Sequence, residues 1–270
     1  MIRRCVLYIA LTAGAVLTTF PFLWMVGTSL KTYEEAVAST LSLLPASPQW
    51  GNYLETFRAA PFGTYFYNSF LVAFIVTGSV VLTSTMAGYA FARLDFPGRR
   101  LLFGLVLATM MIPFEVTLIP NFMLIRTLRW YDTYLALIVP WCANAFSVFL
   151  MRQAYLGLPP DYFDAAKIDG CGHLRFLAYI AMPLVKPMVV TVALFAFLGS
   201  YNSLLWPLVV TGKESMRVAQ VGLTVFWGAE GVRVHLLMCA STIVILPTVL
   251  LYFSAQKYFL ESSLGTGLKG

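Results

Sequence analysis

Six stretches of this chain are each long and apolar enough to cross a bilayer, and that feature constrains the fold more than any other. They run roughly over residues 6–30, 65–94, 101–125, 133–153, 184–210 and 236–260. About 20 mostly apolar residues are needed to carry a helix across the hydrocarbon layer. Lipid offers backbone N–H and C=O groups no partner, so segments rich in helix formers must pair those groups internally. The expected fold is therefore all-α and integral to the membrane, with six transmembrane helices. Composition agrees: 59% of the 270 residues are apolar and 11% charged, against about 25% charged in soluble domains. Mean hydropathy is +0.78. The first stretch is too long for a signal-peptide core, and no small-residue cleavage pattern follows it.

The basic residues suggest an orientation. With the N-terminus inside, six crossings return the C-terminus inside. Eleven of the 18 Lys and Arg residues then fall on the inner side, among them Arg3, Arg4, Arg93, Arg99, Arg100 and Lys167. This agrees with the positive-inside rule. The organisation read from the sequence has three parts: a first helix with its extracytoplasmic segment (1–64), a core of helices two to six (65–260) with a cytoplasmic loop at about 152–183, and a tail (261–270). Within the second helix, Gly78, Ser79, Ser84 and Gly88 suit close helix–helix packing.

Several function classes are excluded. No G-x-x-x-x-G-K-[ST] phosphate loop is present, so the chain is not expected to hydrolyse ATP. There is no H-E-x-x-H and no G-x-S-x-G. Four scattered cysteines and two distant histidines form no metal-ligand or disulfide pattern. The net charge of +6 is no nucleic-acid footprint. The chain is expected to be non-catalytic, with no cofactor or metal of its own.

One short polar stretch stands apart: Asp161, Tyr162, Phe163, Asp164, Ala165, Ala166, Lys167, Ile168, Asp169 and Gly170. It reads as a helix. Pro159-Pro160 bars helix before it, Asp161 can cap the first turn with Asp164 reaching back, and Gly170 and Gly172 can end it in the left-handed conformation. Tyr162, Ala165, Ala166 and Asp169 share one face at helical spacing. The two alanines make that face flat enough for another protein to approach. Spacing alone leaves open whether the stretch is a docking helix or a loop helix resting on the membrane surface.

Two further features bear on a pathway. Glu115 lies well inside the third apolar stretch, between Pro113 and Pro120. It is either a pathway-lining or gating carboxylate, or an acid held neutral or paired for structural reasons. The chain has no second deep ionisable group, which favours the structural reading. Gly199, Ser200, Tyr201, Asn202 and Ser203 form a polar break in the fifth stretch, followed by Trp206. Irregular polar backbone at membrane depth must line a cavity or be buried in protein. Tyrosine, asparagine and tryptophan together suit the hydroxyl-rich face of a sugar. With Glu115 and Asn121, residues Gly199, Ser200, Tyr201, Asn202 and Trp206 are the candidate pathway-lining set.

The spacing Asp164-Ala165-Ala166, three residues, Gly170, nine residues, Ile180-Ala181-Met182-Pro183 resembles the EAA loop of ABC importer permeases. Asp164 stands for the usual Glu, and Met182 for the usual Leu. Pro21-Phe22-Leu23-Trp24, Met111-Ile112-Pro113 and Leu205-Trp206-Pro207-Leu208 resemble the carbohydrate branch, similar to the smaller permease of the maltose transporter. The resemblance implies a type I ABC importer permease fold in the cell inner membrane, with both termini cytoplasmic. It implies a homologous second permease, two ATPase subunits that bind ATP and Mg, an extracytoplasmic solute-binding protein and a carbohydrate solute. Asp161 to Asp169 would be the coupling helix seated in an ATPase, and solute would pass by alternating access. The solute is open among sugars, glycosylated polyols and glycerol phosphates. The competing reading is an ion-coupled secondary carrier that works without an ATPase.

Overall fold

The computed structural model describes residues 2–38, 42–228 and 231–264. Residues 265–270 of the expected tail lie outside them. Among the described residues the elements are helices joined by loops, with one two-stranded antiparallel sheet. The chain runs α1 (Ile2–Ser29), α2 (Tyr33–Val37), α3 (Gly51–Ala59), α4 (Phe62–Arg93), α5 (Arg99–Thr109), α6 (Phe114–Thr127), α7 (Tyr134–Ile138), α8 (Ala145–Leu156), α9 (Pro160–Ile168) and α10 (His173–Phe176). A π turn (Leu177–Ala181) joins α10 to α11 (Met182–Leu184). Then come α12 (Lys186–Tyr201), α13 (Leu205–Val210), α14 (Ala219–Gly222), strands β1 (Trp227–Gly228) and β2 (Gly231–Val232), and α15 (Val234–Leu264).

Among the described residues, four helical segments are long and apolar enough to cross a membrane: Val6–Ser29, Phe62–Arg93, Tyr134–Leu156 and Val234–Ser254. Counting each of two bent pairs as one span raises the number to six. The third apolar stretch, expected as one helix, is such a pair: α5 and α6 meet at 96°. Pro113 is the reason. It has no N–H to continue the ladder, and its extended backbone (φ −60°, ψ 138°) caps α6. Pro120 sits inside α6 without breaking it. At the start of the fifth stretch a break falls at Val185, two residues after Pro183, and the flanking helices meet at 87°. α4 has 32 residues. At 1.5 Å per residue it is about 48 Å long, well beyond the ~30 Å hydrocarbon layer.

The chain divides into two compact units. The first comprises Met1–Thr64 and Ala219–Val249. Here the amide of Asn52 donates to the carbonyls of Ser29 and Lys31 at 2.9 and 2.8 Å, closing the end of α1 where helix carbonyls lack partners. Lys31 is buried; its ammonium donates to the Ser42 carbonyl and lies 4.6 Å from the Trp24 ring centroid. Phe62 stacks on Phe226.

The second unit comprises Tyr65–Val218 and Leu250–Gly270. Gly88 of α4 packs directly against Met151 of α8: a Cβ there would lie 2.7 Å from the Met151 Cβ. Gly78 has open space around it, so of the two glycines expected at a helix contact only Gly88 is used. Ala73, Phe197 and Tyr201 form a buried cluster, with Phe70 and Leu251 against it. Asn68 is fully buried. Its amide donates to the Ser215 and Arg217 carbonyls, and its carbonyl accepts from the Tyr134 hydroxyl.

Candidate functional site

Helix α9 opens on Pro160, with Pro159 in the capping position and no side-chain cap. Proline is tolerated at the first helical position because its missing N–H would be unpaired there anyway. Asp161 is therefore inside the first turn and does not cap it. Neither it nor Asp164 closes a capping box. The carboxylate of Asp161 instead faces the positive end of the helix dipole. At the other end the expectation for Gly170 holds. It has φ +69°, Cys171 N–H donates to the Ala166 carbonyl, and Gly170 N–H donates to that of Lys167. This is a Schellman stop. Gly172 is extended and begins α10, so it has no part in that stop.

The face expected from Ala165 and Ala166 is divided. Ala166 is 6% exposed and turned inward, as is Phe163, whose ring packs on Phe176 at 5.1 Å and on His173 at 5.6 Å. Below these, the Tyr89 hydroxyl and His173 Nδ1 are hydrogen-bonded at 2.9 Å. Tyr89 also packs edge-on against Tyr155. Arg93 donates to the carbonyls of Tyr155 and Leu158 at 2.9 and 2.5 Å. α9 thus rests on an aromatic seat pinned to the ends of α4 and α8. Its outward crest carries Ile168, Asp161, Ala165 and Asp164, flanked by Lys167 on one side and Tyr162 and Asp169 on the other. Ile168 is 86% exposed and Tyr162 47%. Ile168 lies outside the face of Tyr162, Ala165, Ala166 and Asp169 read from the sequence, yet it stands on this crest. Its position, three after Ala165 and seven after Asp161, was the available signal.

A second arrangement lies along three interruptions of helix, at residues 110–113, 142–144 and 202–204. They border two cavities. The first, about 300 Å3, is lined by Ser203 from one interruption with Gly199 and Ser200 from the end of α12, and by Asn144 from another with Ser147 from the first turn of α8. The second, about 310 Å3, is lined by Thr109, Phe114, Thr117 and Asn121. Trp141 and Trp206 border both. Trp206 is 1% exposed, and its indole N–H donates to the Ala136 carbonyl at 2.8 Å.

Of the candidate pathway residues, Gly199, Ser200, Asn121 and Trp206 therefore border cavities, and three do not. Tyr201 is still helical and stacks on Phe197 at 5.8 Å in the buried cluster. Asn202 ends α12 and is exposed; the polar break starts there and not at Gly199. Glu115, expected deep in a span, is exposed on the first turn of α6 beside the helix interruption at 110–113, and makes no ion pair among the described residues. Trp141, Asn144 and Ser147 were not anticipated, although Pro140 and the capping Asn144, whose side chain accepts from the Ser147 N–H, mark the interruption locally.

Long apolar helices broken around uncharged cavities, with a polar helix seated at one end, define a multi-pass membrane transport subunit. Residues 80–260, which contain α9 and all three interruptions, match the binding-protein-dependent transport system inner membrane component family, and the chain belongs to it. It is 34% identical over 259 residues to the arabinooligosaccharides transport system permease protein AraQ of Halalkalibacterium halodurans, covering 95% of this chain and 93% of that one. It is 31% identical over 263 residues to the sn-glycerol-3-phosphate transport system permease protein UgpE of Yersinia enterocolitica, covering 94% and 93%. Its fold is that of a chain in a bacterial ABC transporter involved in import of the acidic polysaccharide alginate, with a TM-score of 0.85, 22% identity and 96% of each chain covered. The protein is a non-catalytic permease subunit of the inner membrane that works with other components of an ABC importer.

Proposed function

We propose that this chain forms half of the translocation pathway for a sugar or related polyhydroxy solute, and that α9 is its coupling helix. The observation that carries the reading is the outward crest of Ile168, Asp161, Ala165 and Asp164 on a helix held from beneath by Phe163, Phe176 and His173. A short, capped, rigidly seated helix with an exposed apolar tip is suited to transmit a push without deforming. In this reading the two bent pairs are spans, so there are six, and both termini are cytoplasmic. Residues 1–64 form a first helix with an extracytoplasmic segment, 65–260 the permease core and 261–270 a tail. A homologous permease supplies the other half of the pathway. Two ATPase subunits bind ATP and Mg, and an extracytoplasmic binding protein delivers the solute. Closure of the ATPases brings the coupling helices together and switches the side to which the pathway opens. The names of the arabinooligosaccharide and glycerol-phosphate relatives support a polyhydroxy solute.

The test is purification of the tagged chain in mild detergent, with quantitative mass spectrometry of what accompanies it. A second permease and an ATPase in a ratio of about one to two are expected. Ile168→Asp is expected to reach the membrane at wild-type levels and lose most of the ATPase, since a buried unpaired carboxylate at the contact costs several kcal/mol. A chain that purifies alone, or an Ile168→Asp variant that keeps its ATPase in full, refutes the assignment.

A further inference from the structure

We propose that the Trp141 ring is the movable partition between the two cavities and the surface on which an uncharged, ring-shaped polyhydroxy solute stacks. This rests on the pathway reading above and names the solute class and the contact residue.

The two tryptophans bordering both cavities are held differently. Trp206 is almost wholly buried and its indole N–H is committed to the Ala136 carbonyl. Trp141 is half-buried, and its indole N–H has no hydrogen-bond partner among the described residues. Its ring packs against Phe114 at 5.2 Å and, edge-on, against Trp206 at 6.3 Å. The backbone after it is tied down. The Cys142 carbonyl accepts from the Thr83 hydroxyl at 3.0 Å, and the Asn144 side chain accepts from the Ser147 N–H at 2.9 Å. A ring that no hydrogen bond holds can turn about its own side-chain torsions while the backbone after it stays fixed. A turned indole presents a flat apolar face and an unspent N–H donor. That pair matches a sugar ring, with its C–H face and hydroxyl edge, and Ser200, Ser203, Asn144 and Ser147 supply polar groups around it.

Charge is the second part of the argument. No residue bordering either cavity is Lys, Arg, Asp, Glu or His. A phosphate or carboxylate entering such a space leaves its hydration shell with no counter-charge in return, which is costly at membrane depth. A neutral polyol loses only hydrogen bonds that hydroxyls and amides can replace.

The test uses the co-purified complex in liposomes loaded with labelled sorbitol and labelled gluconate, without ATP. Wild-type liposomes are expected to hold both. Trp141→Ala should release sorbitol about tenfold faster, the effect of removing ~1.4 kcal/mol from a barrier, and should still hold gluconate. Trp141→Phe should remain tight, but ATP-driven uptake of arabinotriose should fall about two- to tenfold for the lost N–H donor. If the alanine variant does not assemble, sorbitol release through Trp141→Val decides the same point. Variant liposomes as tight as wild type, or equal release of sorbitol and gluconate, overturn the proposal. ATP-driven uptake by the wild type is read in the same liposomes. Its absence counts against the importer reading, while the leak ratio still decides the partition.

Discussion

Gly88 offers a sharp test of how this unit is packed. A methyl group there would lie 2.7 Å from the Met151 Cβ, 2.9 Å from the Arg152 nitrogen and 3.1 Å from the Met151 carbonyl carbon. Carbon contacts are comfortable at about 3.5–4.0 Å, so α4 and α8 must part by about 1 Å. Two of the three opposing atoms are backbone, and no rotamer change relieves them. Overpacking of this kind costs about 1–3 kcal/mol. Gly78 on the same helix is the control, since nothing lies within 4 Å of its added Cβ. Alanine there gains about 0.8–1 kcal/mol of helix propensity. Gly88→Ala gains the same, so the difference between the two variants isolates the clash. Gly78→Ala should be neutral to stabilising, and Gly88→Ala should unfold about 1–3 kcal/mol more easily than it. Circular dichroism of the purified chain during titration of detergent micelles with dodecyl sulfate measures both. Coincident unfolding midpoints would refute the close contact. A functional consequence follows, because the ends of α4 and α8 carry Tyr89, Arg93 and Tyr155 beneath α9. Helices pushed apart at Gly88 should loosen that seat, and transport should fall more than folding does.

Two other perturbations address single polar anchors. Asn68→Leu keeps the volume but strands two carbonyls and the Tyr134 hydroxyl, at about 1–3 kcal/mol for each buried group left unpaired. The segment holding Ser215 and Arg217 should detach, and trypsin should cut after Lys213 and Arg217 at least about tenfold faster than in wild type, as ~1.4 kcal/mol of lost anchoring requires. Unchanged cleavage would mean that the segment is held elsewhere. Arg93→Leu removes the fork that holds the Tyr155 and Leu158 carbonyls, a charge-assisted pair worth about 1.5–3 kcal/mol. ATPase stimulation by solute-loaded binding protein should drop while the ATPase still co-purifies, and a parallel loss of both would make Arg93 structural only.

The apolar stretches were legible because lipid leaves them no alternative to helix. Their bends were less so. Prolines 113, 120, 183 and 187 give similar local signals, yet Pro120 stays inside α6 and Pro183 follows the π turn Leu177–Ala181, where the hydrogen-bond ladder is already shifted. Which proline breaks a helix depends on whether neighbours can satisfy the freed carbonyl. Gly78 and Gly88 differ for a related reason, since only the approach of α8 gives Gly88 its role. In α9 the stop was legible because a left-handed Gly170 is a local matter. The start was not, because Pro160 can sit inside the first turn and displace Asp161 from the cap. Extending helical period through Ile168 would have revealed the outward crest.

The cavity residues show where local reading runs out. The sequence groups Gly199, Ser200, Tyr201, Asn202 and Ser203 as one polar break, but α12 continues through Tyr201, and its period sends Ser200 to a cavity and Tyr201 to the core. Each interruption taken singly could be an accident of packing. Three of them, from segments up to about 90 residues apart, border the same pair of cavities. Each leaves backbone groups without helical partners at a depth where an unpaired group costs several kcal/mol. A membrane protein that only needed to pack would close those helices. Gathering the breaks at Phe114, Trp141 and Trp206 makes sense if the backbone there is wetted in one state and covered in another. The covering group must then move without dragging a helix, and of the three rings Trp141 is the one with an uncommitted donor and both cavities beside it.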